Sequence, residues 1–74
     1  MKQGIVWKYQ TVSAPCFHSD IGAYTGYGLA LDAAQICAPN LFTNQLDAES
    51  AARFLNRHQV SPVHFWDVIE DILS

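Results

Sequence analysis

The side chains with the clearest chemical potential are Cys16, His18 and Asp20, which stand at every second position, and Cys37, His58 and His64 farther along. A thiolate beside an imidazole, oriented by a carboxylate, is an arrangement for nucleophilic catalysis, with Cys16 as nucleophile, His18 as base and Asp20 as the orienting group. Thiolate and imidazole are also donors that zinc favours, and Cys16 with His18 could form half of such a site. The spacing supports neither reading. Structural zinc sites pair closely spaced cysteines or histidines, whereas Cys16 and Cys37 lie far apart and His58 and His64 are separated by a turn. Side chains so close together on a loop rarely hold a triad's geometry, and the chain has no nucleophile elbow, phosphate-cradling glycine loop or paired-carboxylate signature. The expectation is a non-enzymatic chain with no catalytic, cofactor-binding or metal-binding residues. Cys37 is then expected in the core, and the histidines as caps or solvent-facing groups.

The elements that would position these residues follow from the pattern of apolar positions. Residues 5–12, IVWKYQTV, alternate and are rich in β-branched and aromatic types, which predicts a strand with one buried side. Residues 13–23, with Pro15, Gly22 and several small polar types, read as a long loop between strands. Residues 24–32 predict a second strand with Tyr27, Leu29 and Leu31 on one face. Its other face carries Gly26, Gly28 and Ala30, open to close approach by another element or chain. After a turn at 32–35, residues 35–42 predict a third strand, which Pro39 confines to a sheet edge or interrupts. Thr43, Asn44 or Asp47 caps a helix running to about Gln59, with Ala48, Ala51, Ala52, Phe54 and Leu55 as its stripe and Glu49 paired with Arg53 outside. Ser61 and Pro62 are an N-cap and a first helical residue, and they start a last helix with Phe65, Val68, Ile69 and Ile72 inward and Val63 and Leu73 at the margins. The fold class is α+β: a three-stranded antiparallel meander followed by a C-terminal helical hairpin packed on one face, residues 1–74 forming a single small domain.

Composition narrows the function classes. The 74 residues are half apolar or aromatic, with two Trp, three Tyr and four Phe, so some aromatic surface should stay exposed for a partner or a second copy. The net charge of −3 argues against nucleic acid as a partner. Two cysteines are too few for a disulfide scaffold, and no run approaches the roughly 18 apolar residues of a membrane span. The expected location is cytoplasmic, with no membrane association.

Tyr27-Gly28-Leu29, the helix ending in Phe54-Leu55-Asn56-Arg57, and the segment from Val60-Ser61-Pro62-Val63-His64 to Trp66-Asp67-Val68-Ile69-Glu70-Asp71 resemble a family of short bacterial proteins catalogued only as a domain of unknown function. The likeness covers about the last two thirds of the chain, is strongest from Asn56 onward, and finds no match in residues 13–23. It implies a free-standing cytosolic bacterial protein and brings no activity, cofactor or catalytic residue.

Two functions remain to be weighed. Residues 52–69 have the length and rhythm of a helix-turn-helix, which makes a DNA-binding regulator the alternative reading. Against it, bulky Leu55 stands where a small residue is wanted, the turn has no glycine, and the would-be recognition helix presents Asp67, Glu70 and Asp71 to phosphate. The preferred reading is a small protein-binding or regulatory module whose partner is another protein or a second copy. Trp66 is offset from the buried stripe as an anchor, and Phe17 and Ile21 are apolar where a loop has no need of them. Asp67, Glu70 and Asp71 lie toward the negative end of the helix dipole, a local cost of about 0.3–1 kcal/mol per exposed charge that would be repaid by a basic partner surface. The plainer alternative has Arg53 and Arg57 pairing with these carboxylates, Trp66 covering the sheet edge and the loop folding down over the core.

Overall fold

The computed structural model describes residues 6–74. Three strands, β1 (Gln10–His18), β2 (Gly22–Leu31) and β3 (Ile36–Phe42), precede two helices, α1 (Gln45–Arg57) and α2 (Phe65–Leu73). The strands form an antiparallel sheet in the order β1-β2-β3. Both helices contribute to one core on a single face of that sheet, the expected α+β meander with its helical hairpin.

The first third of the chain differs from the sequence expectation. Ile5 lies outside the described residues, residues 6–9 are not part of the sheet, and residues 13–18 continue β1 instead of forming a loop. Pro15 suggested a break because it lacks an N–H. It is tolerated because β1 is an edge strand, where an outward-facing nitrogen has no ladder partner to lose. The ladder runs from Gln10 opposite Ala30 to His18 opposite Gly22 without interruption. Residues 19–21 close the hairpin, and Gly22 takes φ +82°, a conformation that costs glycine almost nothing.

Pro39 acts on β3 in both of the ways its chemistry allows. The strand lies at the other edge, and its register jumps from Ala38 opposite Leu29 to Phe42 opposite Tyr27. The small face of β2 makes room for this bulge. A Cβ on Gly28 would run into the Ala38 carbonyl, and one on Gly26 would meet Asn40 Oδ1 at 2.5 Å and Cys16 Sγ at 2.9 Å. The close approach that those glycines permit is thus made by β3 itself.

Asn44 caps α1, its side chain accepting from the Leu46 N–H at 2.7 Å. Ala48, Ala51, Ala52 and Leu55 are buried, and the three alanines let the helix axis lie close to the sheet. Phe54, expected on this stripe, is instead exposed: it lies about 100° round the helix from Leu55, at the side of the stripe. The helix ends with the N–H of Val60 bonded to the Leu55 carbonyl and that of Gln59 to Asn56, a Schellman closure. The residue in left-handed conformation there is Gln59, φ +47°, where glycine is usual.

The side chains at this helix end explain why residues 7–9 are held without a strand beside them. Asn56 accepts the Tyr9 N–H at 2.6 Å and donates to the Tyr9 carbonyl at 3.0 Å. Gln59 does the same for Trp7, both bonds 2.8 Å, and also donates to the Asn56 carbonyl. Two amide side chains therefore stand in for the missing strand, engaging alternate residues as a ladder would. The clamp presses the Tyr9 ring against Phe65, stacked at 5.7 Å, while the Tyr9 hydroxyl donates to the Val60 carbonyl at 2.6 Å.

Ser61 and Pro62 begin the last helical segment as expected, the Ser61 hydroxyl accepting from the Val63 N–H at 3.4 Å. Its first turn, Pro62–His64, is a 3-10 turn, and α2 proper starts at Phe65. Phe65 and Ile69 are fully buried and Val68 partly so, whereas Ile72 leaves over a third of its surface in solvent, and Leu73 and Val63 more. The inward stripe therefore fades toward the end of α2.

Candidate functional site

Cys16, His18 and Asp20 are not assembled as a catalytic group. Cys16 points to the uncovered face of the sheet beside Gly26, its thiol 3.5 Å from the Ala14 carbonyl. The ring of His18 accepts, through Nδ1, from the backbone N–H of Asp20 at 3.1 Å, so Asp20 meets it with its main chain. Cys37 is exposed on β3, not in the core, because Ala38 takes the inward position opposite Leu29. His58 caps α1 and packs its ring on Phe54 at 4.5 Å, and His64 ends the 3-10 turn. Among the described residues no three histidine, cysteine or carboxylate side chains converge to hold a metal ion, and no helix is long and apolar enough to cross a membrane.

The expected interaction residues separate into two surfaces. Phe17 and Ile21 belong to the far end of the β1–β2 hairpin. β3 pairs with β2 only from Tyr27 to Leu31, so the pairs from Ala14 opposite Gly26 to His18 opposite Gly22 have no third strand beside them. That end of the hairpin is a two-stranded arm, and the chain measures 54 Å along its length against 23 and 19 Å across. Phe17 is 76% exposed and Ile21 68%, so the segment does not fold down over the core. Phe17 lies eight positions beyond Tyr9, which stacks on α2, a span of roughly 27 Å along an extended strand.

Trp66, Asp67, Glu70 and Asp71 form the second surface, on α2. Trp66 stands edge-on to Phe65 at 5.0 Å with about half its surface in solvent. The three carboxylates occupy the outer face of the helix and are exposed.

The two helices form a third surface between them. Where α2 leaves the core, its last turn and α1 enclose a groove of about 500 Å³ lined by Phe42, Asp47, Ser50, Ala51, Phe54, Ile72 and Leu73. Asp47 is the one ionisable side chain in that lining, so the groove can receive an apolar group but has no acid–base pair to act on it. Its neighbour along α1 is a shallower depression lined by Ser50, Arg53, Phe54, Arg57 and His58.

The candidate surfaces are thus apolar and charged. Searches of curated proteins and of solved structures found no match. One family model does match, over residues 2–74, and it takes in residues 13–23, where the sequence resemblance had stopped. By that match the chain belongs to DUF6514, a family of unknown function.

Proposed function

We propose that this chain is a non-enzymatic protein-recognition module that works in the cytosol and engages its partner through the β1–β2 arm. The observation that carries the reading is the exposure of Phe17 and Ile21 at the end of a ribbon that no third strand pairs and that β3 touches through the Asn40 side chain, which donates to the Tyr24 hydroxyl at 3.0 Å. A free two-stranded ribbon is marginal in water, and large apolar side chains at its tip gain nothing there. A partner that covers the tip would order the ribbon and bury both side chains at once. The groove between the helices is mostly apolar, with Asp47 as the one ionisable side chain in its lining, a composition that suits recognition of an apolar group.

The test is a comparison of variants. Phe17→Ser combined with Ile21→Ser should leave the unfolding midpoint almost unchanged, because both positions are exposed, yet remove a protein co-purified by the wild-type chain from its own cells. Trp66→Ser should leave that capture intact. If the double variant retains the partner while Trp66→Ser loses it, recognition lies on α2 and the reading fails. Binding of duplex DNA at low salt by the wild-type chain would favour the regulator alternative.

A further inference from the structure

The C-terminal half of α1 and the outer face of α2 carry opposite charges on either side of a largely apolar seam, with Asp47 from the first turn of α1 in the lining of the seam itself. Two of the chain's four cationic side chains, Arg53 and Arg57, are one helical turn apart on the exposed side of α1. Glu70 and Asp71, with Asp67, occupy the exposed side of α2. Between them lies the groove, with Phe54, Ile72 and Leu73 each 38–51% exposed. The last turn of α1 suits its arginine, but the second half of α2 collects carboxylates where the dipole is already negative.

We propose that this face binds a second copy of the chain about a two-fold axis through the groove. This goes beyond the arm's role and concerns a different surface. A two-fold axis sets α1 of one copy against α2 of the other, and the reverse contact follows by symmetry. Arg53 and Arg57 of each copy then face Glu70 and Asp71 of its mate, while Phe54, Ile72 and Leu73 of both copies fill the paired grooves. The same pairing offsets the unfavourable placement of the α2 carboxylates. A foreign partner would have to reproduce an acidic stripe, an apolar seam and a basic stripe in register, whereas a second copy already has all three.

The face is small. α1 is 13 residues long, about 20 Å at 1.5 Å per residue, so the paired area falls at or below the lower end for stable interfaces, about 1,200 Å² in total. The dimer should therefore be concentration-dependent, with a dissociation constant in the micromolar range or weaker, rising roughly tenfold between about 0.05 and 0.5 M salt as the charges are screened.

The experiment is a charge swap followed by sedimentation or light scattering across a concentration series. Arg53→Glu with Arg57→Glu makes both stripes acidic, and Glu70→Arg with Asp71→Arg makes both basic. All four positions are exposed, so both variants should keep the wild-type circular dichroism. Each variant alone should be monomeric, and an equimolar mixture should form a heterodimer, because both symmetric contacts are then complementary. The Phe17→Ser/Ile21→Ser variant should dimerise like the wild type, so failure of this proposal and failure of the arm's role give different results. A wild-type chain that stays monomeric at about 1 mM, reversed variants that each still dimerise, or a mixture that does not associate would overturn the proposal.

Discussion

Replacing Asn56 tests the clamp that holds the N-terminal segment on the core. Its amide satisfies both main-chain groups of Tyr9, accepting at 2.6 Å and donating at 3.0 Å. In Asn56→Ala both groups lose their protein partner beside a residue that is only 2% exposed. At about 1 kcal/mol per hydrogen bond, and somewhat more for a group left dry, the loss should be about 2–3 kcal/mol. A chain of this length has only about 4–11 kcal/mol of stability, so the melting temperature should fall by about 10–20 °C. Asn56→Asp separates the two bonds: it keeps the acceptor, removes the donor and places a carboxylate against the Tyr9 carbonyl, so it should be no milder than alanine near pH 7. Urea unfolding followed by circular dichroism gives the free energy, and tryptophan emission reports on the neighbouring Trp7. A loss below about 0.5 kcal/mol for alanine, or an aspartate variant as stable as wild type, would refute the clamp.

Three further outcomes follow from the same packing. Gln59→Ala should cost about 1 kcal/mol by removing the bonds to Trp7, and Gln59→Gly should recover about 1 kcal/mol relative to alanine because glycine accepts the left-handed conformation; equilibrium unfolding of the pair decides it. Gly28→Ala should destabilise by about 3 kcal/mol or more, since its Cβ would meet the main chain of β3 at Ala38 and nothing flexible can yield; a thermal melt close to wild type would contradict the bulge geometry. Burial raises the pKa of Tyr9 above its ordinary value of 10.0, so the folded state holds its proton longer than the unfolded one. The associated stability is fully present below about pH 10 and is lost as pH rises through the folded-state value, and Tyr9→Phe should show a shallower alkaline loss in a pH series of urea melts.

The helical half of the fold was legible because its signals are local. Asn44 caps α1 and Ser61-Pro62 opens the last helical segment where their side-chain chemistry says they should. β2 and β3 followed from alternation and from the proline at an edge. β1 was misplaced because its evident alternation, around Trp7 and Tyr9, belongs to a segment paired by side-chain amides, while its true ladder runs through Pro15 and small residues that look like a loop. No local pattern announces that Asn56 and Gln59 will act as a strand. The candidate surfaces were half legible. Trp66, Phe17 and Ile21 are apolar residues in excess of local need, and the structure leaves all three exposed. The groove was missed because it depends on how far Ile72 and Leu73 of α2 stand from Phe54 of α1, a tertiary distance that periodicity does not encode.

The recognition role of the arm is tested most directly by placing a photo-crosslinking amino acid at position 17 or position 21 and irradiating the chain inside its own cells. Position 32, an exposed residue at the other end of β2, serves as the control. The account predicts a discrete protein adduct from 17 and 21 that is missing from 32. No adduct from either arm position, or the same adducts from all three, would contradict it.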